Sequence, residues 1–412
     1  MRVATLFKRL LRLGRERVIG VELIEGADER VIVEIARPEG RRMRCPGCGH
    51  TTRAIYDRSL RSWRHLDALR TRVELRCEVR RIDCPACGVV AEEVPWARPG
   101  SRFTRAFEDT CAFLVRDAPK TVVARLMRID WATVGRMIER VVDEALGDAP
   151  DALDGLRRIG VDEVAYRKGH RYLLCVVCHD TGRIVWARPG RSKATLASFF
   201  LELGPERARR LEAVSVDLHG AWPEVIRIAA PKAAICADPF HVVKLAGEAL
   251  DALRRADWQR LRAEDPERAR FIKGTRFLLR RRADSLSGEQ RDLIEGLAET
   301  NERLYRGWLY VDQLRAIYRA PDPAQAALML EEWCESAWRS GLPEFAKVAR
   351  TFTANAEAIV NAIHLGISNA RIEAMNSTVR LMSHRSRGFR RVESLLALIR
   401  LVCGKIPVAL PT

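Results

Sequence analysis

The chain has 412 residues, 71 Lys and Arg against 54 Asp and Glu, and a formal net charge of +17. With 47% hydrophobic and 30% charged residues it reads as an ordinary folded protein of two or three domains, which excludes a largely disordered chain. No apolar run approaches the roughly 18 residues that a spanning helix needs. Charges interrupt the N-terminal MRVATLFKRLLRLGRERVIG, which argues against a signal peptide. The expected compartment is therefore the cytoplasm. The basic excess implies affinity for polyanions.

Residues 17–37 hold two alternating stretches, RVIGVELIE and RVIVEIA, separated by Gly26-Ala27-Asp28, which predicts a hairpin. Next come Cys45-Pro-Gly-Cys48 and Cys84-Pro-Ala-Cys87, each followed by glycine (Gly49, Gly88). Four soft thiolates in two such pairs make a closed tetrahedral zinc site that holds together a small β-rich module. The 35 intervening residues require a strand pair between the knuckles, with TRVELRCEVRRI as strand material. His50 is an alternative ligand, and His65 reads as an ordinary polar residue. Seven of the 11 cysteines lie outside these pairs, which suits a reducing compartment better than a disulfide framework.

After WARPG at 96–100 the apolar period becomes helical and stays so to about Leu146. Within TVVARLMRIDWATVGRMIERV, Ala124 and Leu126 lie in one helix, and a tight turn spans Arg128–Asp130. Trp131, Val134 and Ile138 then form the inward face of the next helix. This is the layout of a helix-turn-helix whose second helix enters a major groove. Asp130 caps that helix, leaving Ala132, Thr133, Gly135 and Arg136 outward. Residues 101–150 carry eight basic and eight acidic residues, so their charge alone does not mark a DNA surface.

From Ile159 three strand-like segments follow: IGVDEVAY, HRYLLCVVCHD and GRIVWARP. A helix (SKATLASFFLEL), a strand (AVSVD), a helix from Trp222 and a strand (AAICAD) come next, which indicates a mixed sheet with helices on its faces. Asp162, Asp217 and Asp238 sit at the ends of strands, where α/β sheets expose functional groups. If the strands are neighbours, Asp162 and Asp217 converge, and two close carboxylates favour a divalent cation such as Mg²⁺. Asp238 is the competing second ligand. From about His241 to Leu365 nothing resembles a strand, and Trp258, Trp308, Trp333 and Trp338 read as core. In SNARIEAMNSTVR, a final helix places Asn369, Glu373, Asn376 and Arg380 on one polar face, with Ile372, Met375 and Val379 on another. The run His384, Arg385, Arg387, Arg390 and Arg391 could hold a DNA backbone; residues 371–412 carry eight basic and two acidic residues.

This ordered series resembles the DDE transposases of bacterial insertion sequences, specifically the ISL-three-type family. The residues that carry the resemblance are CPGCG and CPACG, RSWRHLD between them, and the helix-turn-helix. GVDEVAYRKGHRYLLCVV, VSVDLHGAWPEVIRIAAPKAAICADPFHVVKLAGEALD and SNARIEAMNSTVRLMSHRSRGFR complete the series. The resemblance implies an RNase-H-like α/β core interrupted by an all-helical insertion. Asp162 and Asp217 would be its catalytic aspartates and Glu373 its glutamate, with Mg²⁺ or Mn²⁺. Asp238 and His241 would be accessory. It also implies hydrolysis at the element ends, transfer of the 3′ hydroxyls into target DNA, specific binding of terminal inverted repeats, and a homodimer or higher oligomer. Where the family usually shows glycines, this chain has Ala370 and Ala374.

The expected organisation is a zinc module over 1–95, a helix-turn-helix and linker over 96–155, core segments over 156–245 and 356–412, and a helical insertion over 246–355. Thr133, Arg136, Asn369, Asn376, Arg380, His384, Arg385, Arg387 and Arg390 are the expected DNA contacts. A zinc-containing helix-turn-helix regulator, or an inactive transposase derivative, is the alternative.

Overall fold

The computed structural model describes residues 3–26, 29–148, 151–167, 169–218, 222–367, 370–386, 389 and 391–408. Asn369, Arg387 and Arg390, expected to contact DNA, lie outside these. Two compact units emerge: residues 1–149 with 389–412, and residues 150–388.

The first unit begins with α1 (Val3–Leu10) and the expected hairpin, β1 (Arg17–Ile24) and β2 (Arg30–Ala36). Short strands β3 (Met43–Arg44) and β4 (Thr51–Thr52) flank the first cysteine pair. Between the knuckles, β5 (Asp57–Ala68) and β6 (Thr71–Cys84) pair antiparallel, and β7 (Gly88–Ala91) folds back on β6. The sheet order is β1-β2-β6-β5, with β2 and β6 parallel. Alternation along β6 turns Val73, Leu75, Cys77 and Val79 inward, against Val33, Ile35 and Trp63. Trp63 meets Trp96 edge-on at 5.4 Å.

Three helices follow: α2 (Arg105–Val115), α3 (Lys120–Leu126) and α4 (Trp131–Asp148). The turn between α3 and α4 has no glycine; Arg128 itself takes φ 54°, and Ile129 N–H reaches back to the Ala124 carbonyl at 2.9 Å. Asp130 Oδ1 accepts from Ala132 N–H at 2.8 Å, the expected cap. Val134 and Ile138 are buried. Leu126 is 63% exposed, because two residues from Ala124 on a helix lies nearly the opposite face; Val123 and Met127 fill the interior instead.

The C-terminal helix (Val392–Cys403) packs on α4, within the first unit, rather than with the core segment over 356–412. Its apolar Leu395, Leu398 and Ile399 are buried, and Ser394 Oγ donates to Glu139 Oε1 at 2.5 Å. This contact corrects the outward placement of Gly135. Gly135 is buried, and a Cβ there would lie 2.9 Å from Ser394 Oγ and 3.1 Å from Lys120 Nζ. Glycine is needed for that close approach.

The second unit contains β8 (Arg158–Arg167), β9 (Arg171–Cys178), β10 (Arg183–Pro189), α5 (Lys193–Leu203), α6 (Pro205–Ala208), β11 (Ala213–Val216), α7 (Trp222–Ala229) and β12 (Ala234–Ala237). The order is β10-β9-β8-β11-β12. The first three strands form an antiparallel meander, and β8, β11 and β12 run parallel. One face packs Val161, Val176 and Val214 against Phe199, Phe200 and Ile226 of α5 and α7. Coverage of both faces explains the nearly continuous apolar runs.

Helices α8 (Pro239–Glu264), α9 (Pro266–Gly274), α10 (Gly288–Thr300), α11 (Glu302–Ile317), α12 (Pro323–Arg339), α13 (Pro343–Ala354) and α14 (Ala356–His364) share one core, without a strand among the described residues. Trp308 and Trp333 are buried in it, and Trp333 Nε1 donates to the Tyr310 carbonyl at 2.8 Å. Trp258 is partly buried, whereas Trp338 is 55% exposed beneath Arg350. Helix α14 lies against β12, and α15 (Ala370–Arg385) against β8. No described helix is long and apolar enough to cross a membrane.

Two stability predictions follow from the first unit. Glu108 is fully buried and accepts from Ser101 Oγ at 2.7 Å, Arg98 Nη1 at 3.3 Å and Arg140 Nε at 2.9 Å. Glu108→Gln removes a carboxylate from Arg98, which keeps Asp109 and Glu144, and from the partly exposed Arg140, and should lower stability by about 1–3 kcal/mol in denaturant unfolding. His65 is held down to about 4 by burial, so the folded unit keeps it neutral. As pH falls from about 6.5 through 4, the unfolded chain protonates first and the contribution of His65 to stability is lost. The fall in unfolding midpoint over that window should be shallower in His65→Gln than in wild type.

Candidate functional site

The register of the parallel strands brings three aspartates together. Ser215 pairs Gly160, so Asp217 and Asp162 each follow two residues further along. Val216 pairs Ala237, so Asp238 follows beside Asp217. Helix α15 delivers Glu373 to the same edge by seating on β8. Gly160 makes that seat, because a Cβ there would collide with Ile372 Cδ1 and lie 2.9 Å from Ser215 Oγ. Ile372 and Val379 are completely buried, as their spacing predicts.

The polar contacts sort the carboxylates. Asp162 accepts from the Asn376 side-chain amide at 2.6 Å and from Glu163 N–H at 2.7 Å. Asn376, expected on DNA, is instead 4% exposed and occupied with Asp162; a helix that buries Ile372 and Val379 carries the adjacent Asn376 inward as well. Asp238 caps α8 through Phe240 N–H at 3.0 Å and bonds His241 Nδ1 at 2.6 Å. His241 Nε2 stands 3.7 Å from Asp217 Oδ2. Asp217 Oδ1 and Glu373 Oε1 are buried with no protein partner.

Electrostatics follow from this crowding. Burial raises the Asp162 carboxyl above the usual range. Burial, then the negative charge of Asp238, raises Glu373. The hydrogen bond to Asp238 raises His241. Next to the strands, His179 Nε2 meets Ser215 Oγ at 2.8 Å, and burial pushes the imidazole down to about 4. Arg371 Nη1 donates to the His179 carbonyl at 2.7 Å, tying α15 to the β9–β10 turn. Sequence reasoning missed Gly160, His179 and Arg371 as supports of this site. A glycine inside an otherwise apolar strand was the available signal for the first.

In the first unit the ligand atoms of Cys45, Cys48, Cys84 and Cys87 all lie within 4.8 Å of one another. Gly49 and Gly88 take φ +76° and +70°, the left-handed turns that close the knuckles. A Cβ at Gly47 would lie 3.1 Å from Cys87 Sγ. The Cys48 and Gly47 backbone N–H groups bring Cys45 down to about 7. Hydrogen bonds to Cys45 and Cys48 push Cys87 up to about 12, so the four thiols do not ionise together without a cation. The set supports a structural zinc. His65 is not a ligand: its Nδ1 meets Thr104 Oγ1, the cap of α2, at 2.9 Å.

RSWRHLD joins the zinc module to the helices. Arg64 donates to the Arg128 carbonyl at 2.9 Å and to Asp67 at 3.2 Å, and Arg128 also pairs with Asp67. On α4, Arg136 is exposed and donates to Thr133 Oγ1 at 3.1 Å. Arg380, His384 and Arg385 are exposed on α15.

Family comparison matches residues 159–399 to a transposase model of the ISL3 type. The chain belongs to the ISL3 family of transposases. Residues 92–142 match the helix-turn-helix domain of the same family, and 41–87 match the zinc finger of the IS204/IS1001/IS1096/IS1165 transposases. Transposases for the insertion sequence IS1557 from two Mycobacterium tuberculosis strains are each 38% identical over 100% of this chain and 98% of their own length. The transposase for IS1001 of Bordetella parapertussis is 30% identical over 95% of this chain and 97% of its length. In this ISL3 transposase the helix-turn-helix match covers α2, α3 and most of α4, and the transposase match spans the sheet, the helical core and α15.

Purified transposase should carry about one zinc per chain, a tetrahedral four-thiolate site. Cys84→Ser should abolish that stoichiometry in elemental analysis and lower the thermal transition of the first unit while leaving that of the second unchanged.

Proposed function

We propose that this insertion-sequence transposase hydrolyses phosphodiesters at the element ends in a divalent-metal-dependent reaction and joins the freed 3′ hydroxyls to target DNA. Asp162, Asp217 and Glu373 are its catalytic carboxylates. The observation that carries the reading is the pair of buried, unpartnered oxygens, Asp217 Oδ1 and Glu373 Oε1, beside Asp162. A buried carboxylate oxygen without a hydrogen bond is costly unless a cation meets it, and an all-oxygen donor set suits Mg²⁺ or Mn²⁺. When bound, such ions supply the Lewis acidity that phosphodiester chemistry requires.

The remaining residues position these groups. Asn376 holds Asp162 by its amide, and Asp238, committed to the α8 cap and to His241, is a positioning residue rather than the second ligand. His241, with Nδ1 on Asp238, presents Nε2 toward Asp217 and can hold a proton there. A meander followed by two parallel strands supports an RNase-H-like core. The helices from Pro239 to His364 support a helical insertion ahead of the Glu373 helix. Domain limits near 95, 155, 245 and 355 suit this organisation.

Thr133 and Arg136 of α4, with the zinc module, read the terminal inverted repeats in this proposal. Arg380, His384 and Arg385, with Asn369, Arg387 and Arg390, hold the DNA near the cut, and two copies pair the two ends in the cytoplasm. The test is strand cleavage of DNA carrying the native element ends. With Mg²⁺ or Mn²⁺ the wild type should cut, whereas D162N, D217N and E373Q should abolish cutting and still bind the ends. D238N and N376A should lose about 10–100-fold, the range of outer-shell substitutions. Specific binding without cutting by any form would favour a regulator or an inactive derivative.

A further inference from the structure

The tip of the β5–β6 hairpin is a feature that neither the fold nor the zinc site accounts for. Ala68 pairs Thr71, so a two-residue loop, Leu69-Arg70, closes the hairpin. Leu69 takes φ 57°, a conformation that crowds its side chain and favours glycine or asparagine. It is also fully exposed, so no packing offsets either the strain or the apolar surface. Arg70 is exposed beside it, and its guanidinium has no partner among the described residues.

Contacts within the first unit fix where this tip lies. Arg128, in the turn before α4, donates from Nη2 to the Arg70 carbonyl at 3.0 Å and from Nε to Asp67 at 3.1 Å. Arg64 of the same hairpin donates to the Arg128 carbonyl at 2.9 Å. The loop is therefore held against the start of the helix that carries Thr133 and Arg136. That helix has little else to read DNA with, because Val134 is buried and Gly135 lies under Ser394 of the C-terminal helix. Arg70, Arg125 and Arg136 are exposed around this turn. The nearby carboxylates are engaged, Asp67 by Arg64 and Arg128 and Asp130 by the α4 cap.

We propose that the Leu69-Arg70 loop enters the minor groove of the same duplex whose major groove receives α4, with Arg70 reaching the base edges and Leu69 lying against the sugars. A two-residue loop is little wider than the roughly 4.7–4.9 Å between paired strands, and a minor groove is about 6 Å wide. The potential of a narrow minor groove attracts arginine, and an apolar side chain packs beside it on the groove walls. This role rests on the assignment of terminal-repeat reading to α4 and the zinc module, and it deepens that assignment. Helix α4 offers only Thr133 and Arg136, and the loop adds discrimination at base pairs that α4 does not reach.

The test uses the full chain and duplexes carrying the native element ends. At each base pair in turn only the minor-groove 2-amino group is changed, by inosine for guanine or 2-aminoadenine for adenine, which leaves the major-groove edge intact. Wild-type affinity should change about tenfold at a short run of adjacent base pairs, within the cost of one mismatched pair. Arg70→Ala should lose that sensitivity and keep its response to major-groove changes elsewhere in the site. Leu69→Gly relieves the positive φ, so its thermal transition should not fall, yet it should bind the native end several-fold more weakly. The role is overturned if no minor-groove change matters to the wild type, if Arg70→Ala keeps the full sensitivity, or if Leu69→Gly binds as the wild type does. A lowered thermal transition in Leu69→Gly would make Leu69 a structural residue and overturn it equally. A wild type with no preference for the element ends sinks the terminal-repeat reading itself, whereas one that prefers the ends without minor-groove sensitivity sinks the loop's role alone.

Discussion

Like charges held at one edge of a sheet do not coexist cheaply, and the second unit is built around that constraint. Asp162, Asp217 and Asp238 follow from the register of three parallel strands, and Glu373 arrives on a helix whose seat depends on the missing side chain of Gly160. Asp162 has its Asn376 amide, and Asp238 has a helix cap and an imidazole. Asp217 and Glu373 each keep a buried oxygen with no protein partner. That asymmetry separates carboxylates whose charge is met within the protein from those that keep an unmet oxygen.

The first unit solves a different problem. Around the knuckles the buried core is small, Met43, Cys45, Ile82 and Cys84, and four thiols within 4.8 Å of one another are placed for a cross-link there. Its long β5 strand then reaches the helices, where Arg64 and Asp67 grip the turn at Arg128. The zinc-bearing sheet and the helix-turn-helix are thereby held as one body. The neutral charge over 101–150 also resolves. Glu108 and Glu144 pair with Arg98, Arg105 and Arg140 around the buried Glu108 and Arg98, while Arg136 remains exposed. A summed charge counts internal ion pairs and surface charges alike, which is why it obscured the outward face.

Much of this was legible along the chain. The two CPxC pairs, the hairpin at 17–37, the strand ends that precede Asp217 and Asp238, and the strand-free tract are local signals, because spacing, alternation and period act over a few residues; Asp162, expected at a strand end, lies inside β8. What failed were assignments of facing. Gly135 was placed outward and is buried, and Asn376 was placed on DNA and binds Asp162. Each depends on a partner far away in sequence, the C-terminal helix for Gly135 and β8 for Asn376.

The sequence by itself determined the family, the element order, the cysteine ligand set and which carboxylates were available, since all of these are written in residue type and short-range spacing. Tertiary structure decided which carboxylates keep an unpartnered oxygen and that the C-terminal helix packs on α4. It also decided that the Leu69-Arg70 loop lies against the turn before α4. These outcomes are fixed by strand register and by steric fit between residues as distant as Gly160 and Ile372, and such pairings leave no local trace for a sequence pattern to carry.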